Sequence, residues 1–383
     1  MYYIFCFLPF LMIFNCSDKK EPIQVSKFRL IGEQQLDVAT TFQGTQVGGI
    51  SGIDMNPDGT FYLLSDDGSE INPARFYTAE LNYDASIFSS INLKTVVSLK
   101  TPAGNNYPSY NDYFGSSTTI NYTDPESIRY DPFTGTLLYA SEGSDLNINI
   151  APVQPFIHQI DLQGTFIKEI PTPSQFRYVR PPNTTGLITN ATFESMCLIP
   201  NSDDLWVAIE APLLQDGPRA TFSQGGSPIR IARVNWKTNT QVAQYAYIPE
   251  KNPKNPIPAN GSSNNGVCEV LSIDENRLLV LERAFSAGYP TATGNTIRIY
   301  EVDFSGATDV SNVTSLVNAS YKPLVKTLVL DFSNIGIRDT DNIETFAWGK
   351  TLPNGNRTMV FVTDNNFSAT QIFKFYVFEI TNL

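Results

Sequence analysis

Residues 126–142 read ESIRYDPFTGTLLYASE: a strand-like run, a Pro-Phe-Thr-Gly turn, a second apolar run, and a glutamate at each end. Two β-prone runs around a short Gly-containing turn form a hairpin signature. The pattern recurs as GISGIDMNPDGTFYLLSD (49–66), ESMCLIPNSDDLWVAIE (194–210), EVLSIDENRLLVLE (269–282) and ETFAWGKTLPNGNRTMVFVTD (344–364). Counted from residues 50, 126, 194, 269 and 344, successive starts lie 76, 68, 75 and 75 residues apart. A period this regular marks a repeat architecture. Each hairpin except the last is followed by two more alternating strands: RFYTAELN with KTVVSLK, FIHQIDLQG with FIKEIP, IRIARVNW with QVAQYAYIP, and TIRIYEVDF with LVKTLVLDF. Four strands joined by tight polar turns make one blade of a β-propeller. The fifth unit has only IFKFYVFEI after its hairpin, and the N-terminal KFRLIGEQQL is expected to supply the missing strand. That pairing closes the ring and removes the open sheet edges. The expected fold is an all-β propeller of five four-stranded repeats, with a sixth only if an irregular segment hides one.

Composition narrows the function. The chain of 383 residues carries 26 Lys+Arg against 38 Asp+Glu, a net charge of −12. Such a balance excludes a binder of nucleic acid, whose phosphates are held by excess cations. The 25 Phe and 18 Tyr suit strands more than helices. The one histidine, His158, excludes a multi-histidine zinc site; it lies in a third-strand run and reads as structural.

Met1–Phe14 (MYYIFCFLPFLMIF) is apolar but short for a spanning helix, and polar Asn15-Cys16-Ser17-Asp18 follows. Residues 1–16 therefore read as a lipoprotein-type leader with lipidation at Cys16, 17–26 as a tether and 27–383 as the propeller. No Lys or Arg precedes the apolar run, a departure from the usual n-region. The expected location is the bacterial cell envelope, with membrane contact only through the lipid anchor; an uncleaved anchor or an ordinary secretory peptide, the latter giving a secreted protein, is the alternative. Cys197 and Cys268 are too few for a disulfide framework and are expected as buried free thiols.

The turns inside each hairpin are short, whereas the segments 101–123, 173–193 and 251–267 and the stretches after each second strand are long. In an up-down blade both long classes emerge at one end, so one face is scaffold and the other is elaborated for function. The acids mark that elaborated face. Antiparallel pairing sets Glu126 beside Glu142, Glu194 beside Glu210, Glu269 beside Glu282 and Glu344 beside Asp364, with Asp66 alone in the first unit. First strands line a propeller's axis, so up to nine carboxylates converge on one opening. They cannot all ionise uncompensated. A cation sits there, or arginines such as Arg75, Arg129, Arg219 and Arg283 pair with the acids, or some carboxyls stay protonated. Oxygen donors without His or Cys favour Ca²⁺ over Zn²⁺.

Other motifs fall away. Gly49-Ile50-Ser51-Gly52 only superficially suggests a nucleophile elbow. Asp54-x-Asn56-x-Asp58-Gly59 mimics the start of an EF-hand loop but reads as a hairpin turn with no closing glutamate. There is no P-loop, dinucleotide fingerprint or CxxC pair.

Taken together, GGISGID, PARFY, TDPESIRYD, ASEG, FESMCLIP, LWVAIEAPLLQDG, LLVLERAF, NIETFAWG and VFVTDNNF resemble the "esterase-like activity of phytase" family over roughly residues 45–380. Asp66, Glu126, Glu142, Glu194, Glu210, Glu282, Arg283, Asp364 and Asn365 fall at that family's recurring motif positions; Ser127 and Thr345 stand where several members carry glycine. The resemblance implies phosphoester or ester hydrolysis. The expectation is a calcium-dependent hydrolase with Glu126 and Glu194 catalytic and Asp66, Glu142, Glu210, Glu269, Glu282, Glu344 and Asp364 around the metal. Arg75, Arg283 and Asn365 are expected to bind the substrate, a small ester or phosphoester taken by a monomer. The alternatives are a tethered, non-catalytic propeller that holds a glycan or protein through the tyrosine-rich 101–123 loop, and a lactonase-like hydrolase of neutral cyclic esters.

Overall fold

The computed structural model describes residues 27–118, 120–180, 183–290, 292–337 and 339–381; the leader and Cys16 lie outside them. The chain enters through β1 (Phe28–Leu36) and a small hairpin, β2 (Thr41–Phe42) and β3 (Thr45–Gln46). Blade one is β4 (Ile50–Met55), β5 (Phe61–Ser65), β6 (Arg75–Tyr83) and β7 (Phe88–Ser98). A short helix, α1 (Tyr110–Gly115), precedes blade two: β8 (Pro125–Asp131), β9 (Thr136–Ser141), β10 (Phe156–Ile160) and β11 (Phe166–Ile170). Blade three is β12 (Phe193–Leu198), β13 (Asp204–Ile209), β14 (Ile229–Asn235) and β15 (Thr240–Tyr247). Blade four is β16 (Ser263–Ser272), β17 (Arg277–Ser286), β18 (Asn295–Asp303) and β19 (Val325–Asp331). Blade five is β20 (Ile343–Trp348), β21 (Arg357–Thr363), β22 (Phe373–Ile380) and, as its outer strand, β1. Five four-stranded blades are present, and among the described residues there is no sixth, in keeping with the five repeats. Among the described residues no helix is long and apolar enough to cross a membrane.

Burial follows radial position. Second strands such as Phe61–Ser65 and Asp204–Ile209 are buried along their whole length, because neighbouring blades cover both faces. This is why they read as unbroken apolar runs. Outer strands such as Phe166–Ile170 alternate between covered and open positions, as half-solvated strands do. The turn at Asn56–Thr60, with Gly59 at φ 92°, is the hairpin turn and not a metal loop. One departure from the short-turn pattern is the connection between β18 and β19, residues 304–324. It runs along the outer edge of blade three, where Val310 N donates to Gln244 O (2.8 Å) and Leu324 N to Ala246 O (2.9 Å). An edge strand is thereby capped by the neighbouring blade's own loop.

Ring closure rests on the pairing of β1 with β22, from Phe28 opposite Ile380 to Leu36 opposite Phe373. Phe28 packs edge-on against Phe378, with centroids 6.3 Å apart. The Glu379 carboxylate accepts from Arg29 Nε at 2.6 Å, Asn354 Nδ2 at 2.6 Å and Asn356 Nδ2 at 2.7 Å. These donors, the asparagine amides first and then the guanidinium, hold its pKa down at about 2. The folded value lies below the unfolded one of about 4.3, so Glu379 contributes stability above that pH and loses it as the pH falls towards about 2. Glu379→Gln is expected to lower Tm at pH 7, and the gap to the native chain should close between about pH 4.5 and 2 in thermal melts. A gap independent of pH would show that the carboxylate's charge does not clamp the ring.

Candidate functional site

Each inner strand carries a one-residue irregularity at the same height. The register slips between Ile50 and Gly52, Pro125 and Ser127, Phe193 and Ser195, Val267 and Glu269, and Ile343 and Thr345. A bulge leaves one residue unpaired and re-aims its side chain. The bulged residues are Ser51, Glu126, Glu194, Cys268 and Glu344. Just past the partner strands stand Asp66, Glu142, Glu210 and Asp364, and Arg283 holds the corresponding place within the longer β17. Four of these anchor their backbone N–H on the carbonyl two positions before the bulge: Asp66 on Gly49 (2.7 Å), Glu142 on Asp124 (3.0 Å), Glu210 on Thr192 (2.8 Å) and Asp364 on Asn342 (2.8 Å). Gly49 sits at φ 58°, and a Cβ there would collide with Asp66 Oδ1, so glycine is what admits this acid.

The side chains converge on a cavity of about 260 Å³ at the elaborated end of the axis. Asp66, Asp124, Glu126, Glu142, Glu194, Glu210, Glu344 and Asp364 line it, with Arg219, Arg283, Asn190, Asn264 and Asn366, and no apolar residue contributes. The charge is polarised. Arg219 Nη2 holds Glu210 Oε1 at 2.7 Å, and Arg283 Nη1 pairs with Glu344. Among the described residues the other six carboxyls have no cationic partner within 4.0 Å. Burial first, and neighbouring carboxylates next, raise Asp66, Asp124, Glu126, Glu194 and Asp364 well above the ordinary range. Glu142 and Glu194 are hydrogen-bonded to one another, the arrangement of two carboxyls sharing a proton. Carboxylate oxygens of Asp124, Glu126 and Glu142 all lie within 4.8 Å of one another, close enough to hold one cation.

Blade four departs from the expected register. Its bulge places Glu269 opposite Leu281 and Glu282 opposite Val267, one residue away from the ring positions held by Cys268 and Arg283. Neighbouring strand residues face opposite ways, so this slip removes both glutamates from the cavity. Glu282 is buried inside the blade, accepting from Tyr247 Oη (2.5 Å), Asn265 Nδ2 (2.6 Å) and Lys326 Nζ (2.8 Å). Glu269 points down the axis and pairs with Arg129 Nη2 at 2.6 Å, also accepting from Thr345 Oγ1 at 2.7 Å. Burial raises Glu269 to about 7, with Arg129 opposing. Arg129 also donates to Ile53 O (2.7 Å) and Ile128 O (2.8 Å), so this pair forms the floor beneath the ring.

Two expected substrate ligands lie elsewhere. Arg75 is wholly buried, bound to Asp67 Oδ2 at 2.6 Å and Gln46 O at 2.7 Å, and it braces the loop after β5. Asn365 is buried, its Oδ1 accepting from Gly49 N at 2.9 Å, while its neighbour Asn366 reaches the cavity. Arg283 is in the cavity, as is Arg219. Asp124 is not among the expected site residues; it stands just before β8 and lines the cavity with Glu126. Cys197 and Cys268 are free and buried. His158 lies apart, stacked on Phe156 at 3.9 Å, in a separate cavity between the loops of blade two.

The chain belongs to the phytase-like family, described by its esterase-like activity of phytase, whose model matches residues 45–367. No curated protein matches by sequence. Among solved structures, a GH43 β-1,3-galactosidase with galactodeoxynojirimycin is 9% identical (TM-score 0.45, covering 89% of this chain and 93% of that one). The α-L-arabinofuranosidase of Podospora anserina in complex with cellotriose is 12% identical (TM-score 0.44, 91% and 95%). Hydrazine synthase of Kuenenia stuttgartiensis is 13% identical (TM-score 0.33), with 86% of this chain spanning 61% of that one.

The floor pair can be tested directly. Glu269→Gln strands the buried Arg129 charge and should cost about 3–5 kcal/mol in urea unfolding. Replacing both residues with methionine should recover most of that loss. A single variant as stable as the native chain would show that the pair does not carry the floor.

Proposed function

We propose, from membership of this family, that the chain is an exported, calcium-dependent hydrolase of phosphoesters, tethered to the bacterial envelope through Cys16. The observation that carries the reading is the polarity of the cavity: six carboxyls without a cationic partner face two arginines. The donor set fits a hard cation. Asp124, Glu126 and Glu142 offer only oxygens, and among the described residues no N–H donates to the Asp124 or Glu126 carboxylate. Among the described residues no histidine lines the cavity, and the Cys268 thiol at the ring is buried in the core instead of in the lining, which favours Ca²⁺ over Zn²⁺. These three residues would hold the ion, with Glu126 a ligand where the sequence reading made it a base. Bound Ca²⁺ would draw in a phosphate oxygen and lower the pKa of a water.

The other residues take the remaining roles. Arg219 and Arg283 are placed to pair with phosphate oxygens, forked donors matched to such a group. Glu194, beside Glu142 in the cavity, is placed to exchange a proton with the reacting water and the leaving alcohol. Water adds to phosphorus, the P–O bond to the alcohol breaks, and the alcohol leaves with a proton, giving phosphate and free alcohol.

Hydrolysis of p-nitrophenyl phosphate, phytate and p-nitrophenyl acetate, each with calcium or with EDTA, tests the reading. Phosphoester turnover should require calcium. Glu126→Gln should lose both turnover and the calcium-induced rise in Tm. Glu194→Gln should keep that rise while turnover falls roughly 10²–10⁴-fold. A Tm rise with no ester cleaved would make the protein a non-catalytic calcium-binding propeller; turnover indifferent to EDTA would remove the metal.

A further inference from the structure

Beside the acidic cavity, blade two carries large apolar side chains that nothing covers. Phe114 is 54% exposed, Leu146 44% and Ile148 83%. They come from two loops stitched together: Asn147 Nδ2 donates to Phe114 O at 2.8 Å and Ser116 O at 3.1 Å, and Tyr113 Oη donates to Ser144 O at 3.1 Å. The patch is therefore held in place by buried hydrogen bonds and is not a pair of loose tips.

Both loops run straight into the cavity. Leu146 and Ile148 follow Glu142 by four and six residues, and Phe114 precedes Asp124 by ten. A chain of rings bridges the gap. Phe114 stacks on Tyr110 at 5.7 Å, Tyr110 meets Tyr122 at 5.9 Å, and Tyr122 stacks on Tyr113 at 5.3 Å, two residues before Asp124. Tyr110 and Tyr122 both feel the Asp124 carboxylate electrostatically. A buried aromatic cluster of Tyr113 and Tyr122, with Tyr110 packed on it, thus ties the exposed patch to the segment that carries Asp124, while the cavity itself has no apolar wall.

We propose that Phe114, Leu146 and Ile148 form a platform for the apolar half of an amphiphilic phosphoester whose charged head enters the acidic cavity. The inference rests on the hydrolase reading above and names its substrate class. Exposed apolar patches on soluble domains mark binding surfaces. Branched aliphatic side chains suit an alkyl chain or aryl group better than a sugar face. The polar cavity supplies no apolar burial for such a group, so affinity for it must come from Phe114, Leu146 and Ile148.

The test compares methyl, butyl and octyl phosphate, measured as inorganic phosphate released with calcium present, on the native protein and on the triple variant Phe114→Ser, Leu146→Ser, Ile148→Ser. Each methylene half-buried on an open surface should raise kcat/KM roughly twofold, so the octyl-to-butyl ratio, four methylenes apart, should be about fifteenfold. The triple variant should flatten that ratio while its Tm matches the native one. An unchanged ratio, or none in the native protein, overturns the platform. If no phosphate ester is cleaved, the hydrolase reading fails separately. The platform is then judged by calorimetric binding of octyl phosphate, expected to weaken at least fivefold in the variant and overturned if it does not. Loss of sedimentation with phosphatidylglycerol vesicles, or of a dimer, without a change in the octyl-to-butyl ratio would assign the patch to a membrane or a second copy and overturn it.

Discussion

Five inner strands converge on one axis, and the charged groups they carry there have to neutralise one another or recruit something that does. Beneath the ring the requirement is met internally: Arg129 from blade two and Glu269 from blade four close on each other at 2.6 Å, out of contact with water. At the ring it is met only in part. Arg219 and Arg283 serve Glu210 and Glu344, and six carboxyls from blades one, two, three and five are left facing one another. The unbalanced charge lies over a sealed floor and under an open mouth, which is the condition for binding a cation from solution.

Blade four is what sets this polarity. A one-residue displacement, relative to its sister blades, brings Cys268 and Arg283 to the ring in place of two acids. The same displacement sends Glu269 down to Arg129 and tucks Glu282 against Lys326 and Tyr247. One register difference therefore supplies the cavity's guanidinium, its floor and a buried anchor for the blade. With blade four in register, the ring would carry two more carboxylates, no Arg283 and no pair beneath it.

Elaboration is distributed to match. The scaffold face keeps tight turns except for 304–324, which spends its length covering the edge of blade three. On the opposite face, the loops of blade two carry Asp124 and Glu142 to the cavity and expose Phe114, Leu146 and Ile148. Blade two thereby offers both oxygen ligands and a surface for an uncharged group, while blades three and four offer the arginines. A substrate with one anionic end and one apolar end satisfies both halves of that arrangement.

Much of this was legible in the sequence. Hairpin period, alternation and turn chemistry are local, so five blades, the completing N-terminal strand and the face bearing Glu126, Glu142, Glu194, Glu210, Glu344 and Asp364 could be read directly. Register was not local. Glu269 and Glu282 recur at nearly the same spacing as their counterparts, yet the bulge falls one residue earlier, at Cys268, and turned both out of the ring. Arg75 lay at the expected offset after an acid but found Asp67 and Gln46 O, partners that only folding places beside it. Asp124 was overlooked because a single aspartate at a strand start carries no signal until its neighbours across the axis are known. The sequence by itself determined the architecture, because hydrogen-bonded strands and their turns depend on nearby residues; tertiary structure decided which charges meet, because a strand's faces alternate every residue and a slip of one reverses them.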